Sequence, residues 1–240
     1  MKRTAKAHLV SLLFAFVFYL QCTAQEKKDS AFYVGVTKNL EENTLTPKAN
    51  LLNGFEYISI AYDSRKGHPY FGASTFQTGS LLYEGIIYKN VPLLYDLFQD
   101  ELIAGDTRKV GLVINLIKTK VTEFYLGDHR FIYLEPLNKN IKGFAGFYDC
   151  LYDDSVQVLV KRSKKGLTSG RGEISSFKDM NSYYIKIGNV FTEVNDKKSL
   201  LNAFDDKKME MLHFMKREKV KFSENPEGAL VKMADYYRSL

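Results

Sequence analysis

Short apolar segments separated by turn residues fill the middle of the chain. Three dipeptides typical of two-residue hairpin turns, Glu84-Gly85, Gly127-Asp128 and Gly188-Asn189, each stand between two such segments. From Val156 to Val160 apolar residues alternate with other residues, which is the period of a strand. Connections this short join antiparallel neighbours, because a parallel crossover needs about a dozen residues or more. The pattern predicts an antiparallel meander, a curved sheet or partial barrel over about 80–194.

The C-terminal segment, about 199–240, changes to a helical period. Its second half begins with Asn225, which suits the N-cap, and Pro226, which suits the first helical position. Apolar residues then recur along one stripe: Ala229, Leu230, Met233, Ala234 and Tyr237. Short helices are marginal alone, so we expect two helices packed on the sheet. The predicted fold is α+β, a mainly antiparallel meander with two C-terminal helices, in a single domain over 49–240.

The first 24 residues, 1–24, have the layout of a secretory signal peptide. Basic residues precede an apolar run from Leu9 to Leu20, and a small residue ends the segment. The twelve residues of that run are too few to cross a bilayer, which takes about 20. Lipidation of Cys22 is the alternative, but the residue before it is not the small one that such a site prefers. We expect cleavage near Ala24-Gln25 and a polar, flexible lead-in over 25–48.

This leader predicts an exported protein, periplasmic or associated with the outer membrane, without a transmembrane span in the mature chain. The sequence has 34 Lys and Arg against 28 Asp and Glu, and three of the basic residues belong to the leader. The net charge of +6 would therefore fall to +3 on cleavage. A charge this small predicts no nucleic-acid partner. Cys150 would be the one remaining cysteine, so no internal disulfide is expected, and its apolar neighbours favour a place in the core.

Residue patterns of catalytic and metal sites are missing from the sequence. His68, His129 and His213 show no metal-ligand spacing, and no nucleophile elbow, phosphate loop or calcium loop occurs. We therefore predict no catalytic residue, no metal ligand and no cofactor. His68, in the loop segment Gly67–Phe71, is the histidine best placed to line a pocket. The glycine-rich segment 165–172, with Lys161, Arg162 and Lys164 just before it, is interpreted as a solvated hairpin loop, because it does not join a strand to a helix.

Aromatic residues are abundant, with 16 Tyr and 17 Phe but no Trp, and they favour strands. A half-barrel with an aromatic interior has a mouth suited to lipid-like ligands. Six aromatic residues on the predicted strands are candidate ligand-lining residues: Tyr83, Tyr88, Tyr95, Phe124, Phe131 and Tyr133. Core packing is the other interpretation of the same residues.

Two stretches of the chain resemble a known group of proteins. They are Leu52–Ile103, with the motifs N-G-F-E-Y, G-H-P-Y-F, L-Y-E-G-I-I-Y and V-P-L-L-Y-D-L, and the tail Phe204–Tyr237. Together they resemble uncharacterised exported proteins of Gram-negative cell envelopes. The resemblance covers most of the mature chain and implies export. Its motifs are structural patterns of aromatic residues and glycine, so it implies no catalytic residues.

Three functions are compatible with these patterns. The favoured one is a non-catalytic binding module for an apolar small molecule or lipid, or for an envelope protein. The second is a hydrolase of envelope material that uses residues near Gly67–Phe71, and the third is a purely structural interaction module. An apolar tunnel would favour the first, converging polar groups with perturbed pKa values the second, and a filled core the third.

Overall fold

The computed structural model describes residues 51, 53–62, 66–105, 113–135, 145–168 and 174–240. All of them belong to the unit Ala49–Leu240. The predicted signal peptide and the predicted lead-in lie outside the described residues.

Eleven of the described strands form one open antiparallel sheet, and two more form a separate hairpin. The strands are β1 Phe55–Glu56, β2 Gln77–Tyr83, β3 Ile86–Asp96, β4 Glu101–Gly105, β5 Val113–Asn115, β6 Val121–Leu126, β7 His129–Leu134, β8 Gly146–Asp153, β9 Val156–Lys161, β10 Lys164–Thr168, β11 Ile174–Asp179, β12 Ser182–Ile187 and β13 Val190–Glu193. The order in the large sheet is β1-β5-β4-β3-β2-β6-β7-β8-β9-β12-β13, and β10 pairs with β11. The sheet has two edges, β1 and β13, so the prediction of a curved antiparallel sheet is confirmed.

The three predicted hairpin turns are confirmed. Glu84 and Gly85, with φ of 51° and 77°, connect β2 to β3. Two positive φ angles in succession give a turn whose twist matches that of the strands. Gly127 and Gly188 also have positive φ, in the turns between β6 and β7 and between β12 and β13. Local turn chemistry therefore sets much of the meander.

Strand β3 continues from Ile86 to Asp96, although the sequence favours a break at Lys89-Asn90. Asn90 has a φ of 54°, and the pairing of β2 with β3 shifts register opposite it. Such a bulge accommodates an extra residue, and asparagine tolerates the left-handed backbone better than most residues do. Pro92 lies on β3, inside the sheet, where a proline is unusual because it has no N–H to donate. Pro92 precedes the residues Leu93–Asp96 that pair with β4, so no ladder hydrogen bond to β4 needs its missing N–H.

Three helices follow the sheet: α1 Lys197–Asn202, α2 Lys208–Arg217 and α3 Pro226–Arg238. Helix α3 begins as predicted, with the Asn225 side chain accepting from the Gly228 N–H at 2.9 Å. The segment before it, predicted as one helix, is divided at Phe204 and a 3-10 turn over Asp205–Lys207. Helix α3 packs on β8, β9 and β12, as expected of the tail. Within the described ranges, no helix is both long and apolar enough to span a membrane.

Two groups of buried side chains cover the sheet. The aromatic core lies on β2, β3, β6, β7 and β8 and includes Tyr83, Tyr95, Phe124, Phe131 and Phe147. The helix core lies under the three helices and includes Val156, Val158, Met211, Leu230 and Met233. Asp149 of β8 stands opposite Phe131 in β7 and opposite Val160 in β9. A buried carboxylate therefore lies at the boundary between the two cores.

Candidate functional site

The six candidate ligand-lining residues all belong to the aromatic core or pack against it. Four of them have no exposed surface, Tyr88 is 5% exposed and Tyr133 is partly buried; the four are Tyr83, Tyr95, Phe124 and Phe131. The Phe124 and Phe131 rings stack with centroids 4.7 Å apart, and Tyr95 contacts both edge-on at 5.3 and 5.1 Å. The structure thus brings the predicted residues together, and their rings fill the space between them.

Tyr95 also connects the aromatic core to a carboxylate. Its hydroxyl donates to Asp100 Oδ1 at 2.7 Å, while Asp100 Oδ2 accepts from Lys161 Nζ at 2.8 Å and Lys118 Nζ at 3.0 Å. Burial, followed by the charge of Asp100, raises the pKa of Tyr95 well above its ordinary value. Burial also lowers the pKa of Lys161, against the attraction of Asp100. Asp100 is therefore held by three donors from three parts of the chain.

A second buried carboxylate, Asp149, joins the sheet to helix α3 through Arg162. Arg162 Nε and Nη2 donate to Asp149 Oδ2 at 2.9 and 2.7 Å. Its terminal nitrogens also donate to both carboxylate oxygens of Glu227, in the first turn of α3, at 2.5 and 3.0 Å. Burial alone would lower the pKa of Arg162, but the hydrogen bonds to Glu227 and Asp149 outweigh it and raise that pKa. Arg162 therefore neutralises a core carboxylate and fixes the start of α3.

His129 completes this network at the surface. Its Nδ1 lies 2.8 Å from Asp149 Oδ2, and its side chain is 39% exposed while that of Asp149 is 1% exposed. The Phe71 ring contacts the imidazole edge-on, with centroids 4.9 Å apart. A buried carboxylate that fixes Nδ1 and leaves Nε2 facing outward is the arrangement that orients a histidine base. Among the described residues, however, no serine, threonine or cysteine side chain hydrogen-bonds to His129.

His68, the predicted loop candidate, lies apart from Asp149 and next to Lys164. Its ring stacks on Tyr70 with centroids 6.0 Å apart, and its backbone carbonyl accepts from Lys164 Nζ at 2.9 Å. Burial, followed by the positive charge of Lys164, lowers the pKa of His68 below its ordinary 6.5. Of the segment Gly67–Phe71, it is Phe71 and not His68 that reaches the His129 network.

The segment 165–172 was predicted as a solvated loop, but its residues up to Thr168 belong to strand β10, so the prediction was wrong for them, and the other four lie outside the described residues. The basic residues just before this segment are paired. Lys161, the last residue of β9, pairs with Asp100, and Arg162 pairs with the buried Asp149. Lys164, the first residue of β10, donates to the backbone carbonyls of His68 and Tyr70. The sequence shows the positive charges but not their partners, which come from distant strands and from α3.

The next residue, Lys165, differs because the β10–β11 hairpin directs it outward. One face of the hairpin packs on the domain, with the Phe177 ring contacting Tyr62 at 5.4 Å and Phe98 at 5.9 Å. The register pairs Lys165 directly with Lys178, and both are exposed. No described carboxylate forms an ion pair with either lysine. We call Lys165, Leu167, Ser176, Lys178 and Met180 the outer face of the hairpin.

Cys150, expected in the core, is only partly buried, and its thiol lies 3.6 Å from the Tyr152 carbonyl. Burial, followed by the charge of Asp153, raises the pKa of this thiol to about 12. The described parts of the chain hold no group of three His, Cys, Asp or Glu side chains arranged for a metal ion. Comparisons with protein-family profiles, with curated proteins and with solved structures give no match for this chain. The function must therefore be argued from the geometry alone.

Proposed function

We propose that this chain is an exported, non-catalytic binding protein of the cell envelope, whose partner contacts the outer face of the β10–β11 hairpin. The proposed export rests on the signal-peptide layout of residues 1–24. The proposed binding role rests on a contrast: the interior is filled by side chains, whereas the surface of the hairpin has lysines without ion-pair partners. A single observation carries it: Lys165 and Lys178 face each other across the hairpin, beside exposed apolar side chains.

The filled interior supports an interaction at the surface, as in the structural interaction module considered above, over an apolar small molecule in the sheet. Tyr83, Tyr95, Phe124 and Phe131 have no exposed surface, because they pack on one another and on their neighbours. Asp100 and Asp149 accept from basic side chains, although Asp149 Oδ1 has no hydrogen-bond partner among the described residues. A close-packed interior of this kind has no space for a ligand unless its side chains move.

A site-specific cross-linking experiment tests this proposal in cells that make the full chain. A photoreactive amino acid at Leu167 should give a cross-linked species of higher mass, in the envelope fraction. The same amino acid at Met209, which is 62% exposed on α2, is the matched control and should give none. Equal cross-linking at both positions, or protein that stays in the cytoplasmic fraction with residues 1–24 attached, would contradict the proposal.

A hydrolase remains the second candidate, because of the His129–Asp149 pair and its contact with Phe71. In this case His129 would act as a base oriented by Asp149. The substitution His129→Gln should then abolish hydrolysis of an envelope preparation without changing cross-linking at Leu167. A hydrolytic rate that is the same in His129→Gln and in the unaltered protein would eliminate this candidate.

A further inference from the structure

We infer that the outer face of the β10–β11 hairpin binds the surface of a membrane that contains anionic phospholipid. This inference rests on the proposed binding function and names its partner. The hairpin is suited to such a role because its inner face is fixed. Phe177 packs against Tyr62 and Phe98, and Lys164 N–H donates to the Leu97 carbonyl at 3.2 Å. The outer face is therefore presented on a fixed support.

The outer face combines exposed apolar side chains with unneutralised positive charge. Leu167 is 41% exposed and Met180 is 47% exposed. Leu167 lies on the same face of β10 as Lys165, and Met180, which directly follows β11, is two residues from Lys178. The one acidic residue among the described residues of the hairpin, Asp179, is 72% exposed; by alternation it leaves β11 on the face opposite to Lys178, and its carboxylate lies 4.0 Å from Lys164 Nζ.

Two lysines directly opposite each other in an antiparallel pair repel, because their Cβ atoms are about 5 Å apart. Anionic phosphates that approach this face would remove the repulsion between Lys165 and Lys178. Leu167 and Met180 would enter the boundary between headgroups and acyl chains. Apolar residues flanked by lysines are the usual composition of surfaces that bind the membrane interface.

The same composition argues against an acidic protein as the partner. Protein interfaces are enriched in aromatic residues, methionine and arginine and depleted in lysine, and leucine is under-represented among their hot spots. Apart from Met180, the outer face has the reverse composition. It also consists of few side chains, whereas a stable protein interface uses about 20–30 residues a side. A lipid surface needs no such area, since several weak contacts with headgroups and acyl chains act together.

Vesicle flotation tests the inference with the full chain, purified with whatever N-terminus the cell leaves on it. The vesicles are pure phosphatidylcholine, or phosphatidylcholine with a third replaced by phosphatidylglycerol. We expect binding to the anionic vesicles, and binding that weakens as salt is added. The double substitution Lys165→Glu with Lys178→Glu should weaken that binding at least about 25-fold, since each lysine near an anionic surface contributes about fivefold. Leu167→Ser with Met180→Ser should weaken it as well.

The matched control reverses the charge of Lys197 and Lys198, which are equally exposed at the start of α1. Lys197→Glu with Lys198→Glu changes the net charge by the same amount and should leave binding within about twofold. Equal losses in the control and in the hairpin variant would overturn the inference, as would binding that is the same on both kinds of vesicle. Absence of vesicle binding, together with a discrete protein cross-linked at Leu167, would overturn it in favour of a protein partner. That last result would leave the proposed binding function intact.

Mass spectrometry of the N-terminal peptide in the same preparations separates the proposed export from the proposed membrane binding. Every variant carries the same N-terminus, so a retained leader would add equal membrane affinity to all of them. A leader found still attached would contradict the proposed export. It would not affect the difference between the hairpin variant and its control.

Discussion

The inner basic residues Lys161, Arg162 and Lys164 and the outer lysines Lys165 and Lys178 are neighbours in the fold but have opposite surroundings. Each inner residue is matched, by Asp100, by Asp149 with Glu227, or by backbone carbonyls. The outer pair has no described acidic partner. A positive charge at a core boundary must be matched or the fold loses stability, whereas a charge at the surface can be left for a partner. We therefore give the inner basic residues a structural role and the outer lysines a binding role, although they are close in the fold.

The largest effect should come from removing Arg162. Arg162→Met leaves Asp149 and Glu227 without their shared cation, and we expect a loss of about 3–5 kcal/mol in the free energy of unfolding. A domain has about 5–15 kcal/mol in total, so the variant should be marginal. Urea unfolding measures the loss. The double variant Arg162→Met with Asp149→Asn is the control and should recover part of it, because the buried charge is also removed. A single variant as stable as the unaltered protein would show that the network is not structural.

A smaller loss is expected at Lys161, because Asp100 keeps two other donors. In Lys161→Met, the carboxylate still accepts from Tyr95 and Lys118. Loss of one charged hydrogen bond costs about 1–3 kcal/mol, less than the expected effect at Arg162. The same unfolding series compares the two variants. The test is which variant loses more free energy of unfolding. A greater loss in Lys161→Met than in Arg162→Met would contradict the role given to Arg162.

The outer pair should respond in the opposite direction. Lys165→Glu replaces a repulsive cross-strand pair with an attractive one, which should stabilise the protein by about 0.2–1 kcal/mol. A thermal melt at low salt measures the gain, and added salt should reduce it. The control is Lys89→Glu, which makes the same change of charge at an exposed lysine of β3 that has no ion pair among the described residues. Destabilisation by Lys165→Glu would mean that the outer lysines have partners in the folded chain.

The smallest effect on stability concerns His68, and its readout is spectroscopic. The lowered pKa of His68 comes first from burial and second from Lys164. As the pH falls, His68 binds a proton in the unfolded chain near pH 6.5 but in the folded chain only at a lower pH. The contribution of neutral His68 to the free energy of unfolding is therefore complete above pH 6.5 and is lost as the pH falls through the lowered pKa. Lys164→Met should move the pKa of folded His68 back toward 6.5 and so narrow the pH range over which this stability is lost. An NMR titration of the His68 ring checks the direction, and an unchanged pKa would assign the whole shift to burial.

Much of the fold could be predicted because its signals are local. Glu84-Gly85, Gly127-Asp128 and Gly188-Asn189 set their hairpins through the backbone conformations that they favour. Asn225 and Pro226 set the start of α3 in the same way. The six candidate aromatic residues lie in the aromatic core or pack against it. Whether they line a cavity or fill a core depends on neighbours that the sequence does not specify.

The charged networks could not be predicted, because their partners are far apart in the chain. Lys161 and Asp100 are 61 residues apart, and Arg162 and Glu227 are 65 apart. Contacts at such separations depend on strand order, and the pairing of β2 with β6 is not implied by any local turn. In the sequence, Lys161, Arg162 and Lys164 show no acidic partner nearby, and a charged residue without a visible partner is usually exposed.

By itself, the sequence determined the three two-residue hairpin turns and the start of α3, because turn conformation and capping act over a few residues. Only the tertiary structure decided which charges are matched. The segment Lys161–Lys165 shows the physical reason. Lys164 and Lys165 leave strand β10 on opposite faces, and the fold supplies backbone carbonyls and Asp179 to Lys164 but a second lysine, Lys178, to Lys165. The contribution of each charged side chain to the stability of the fold therefore depends on those surroundings and not on its residue type.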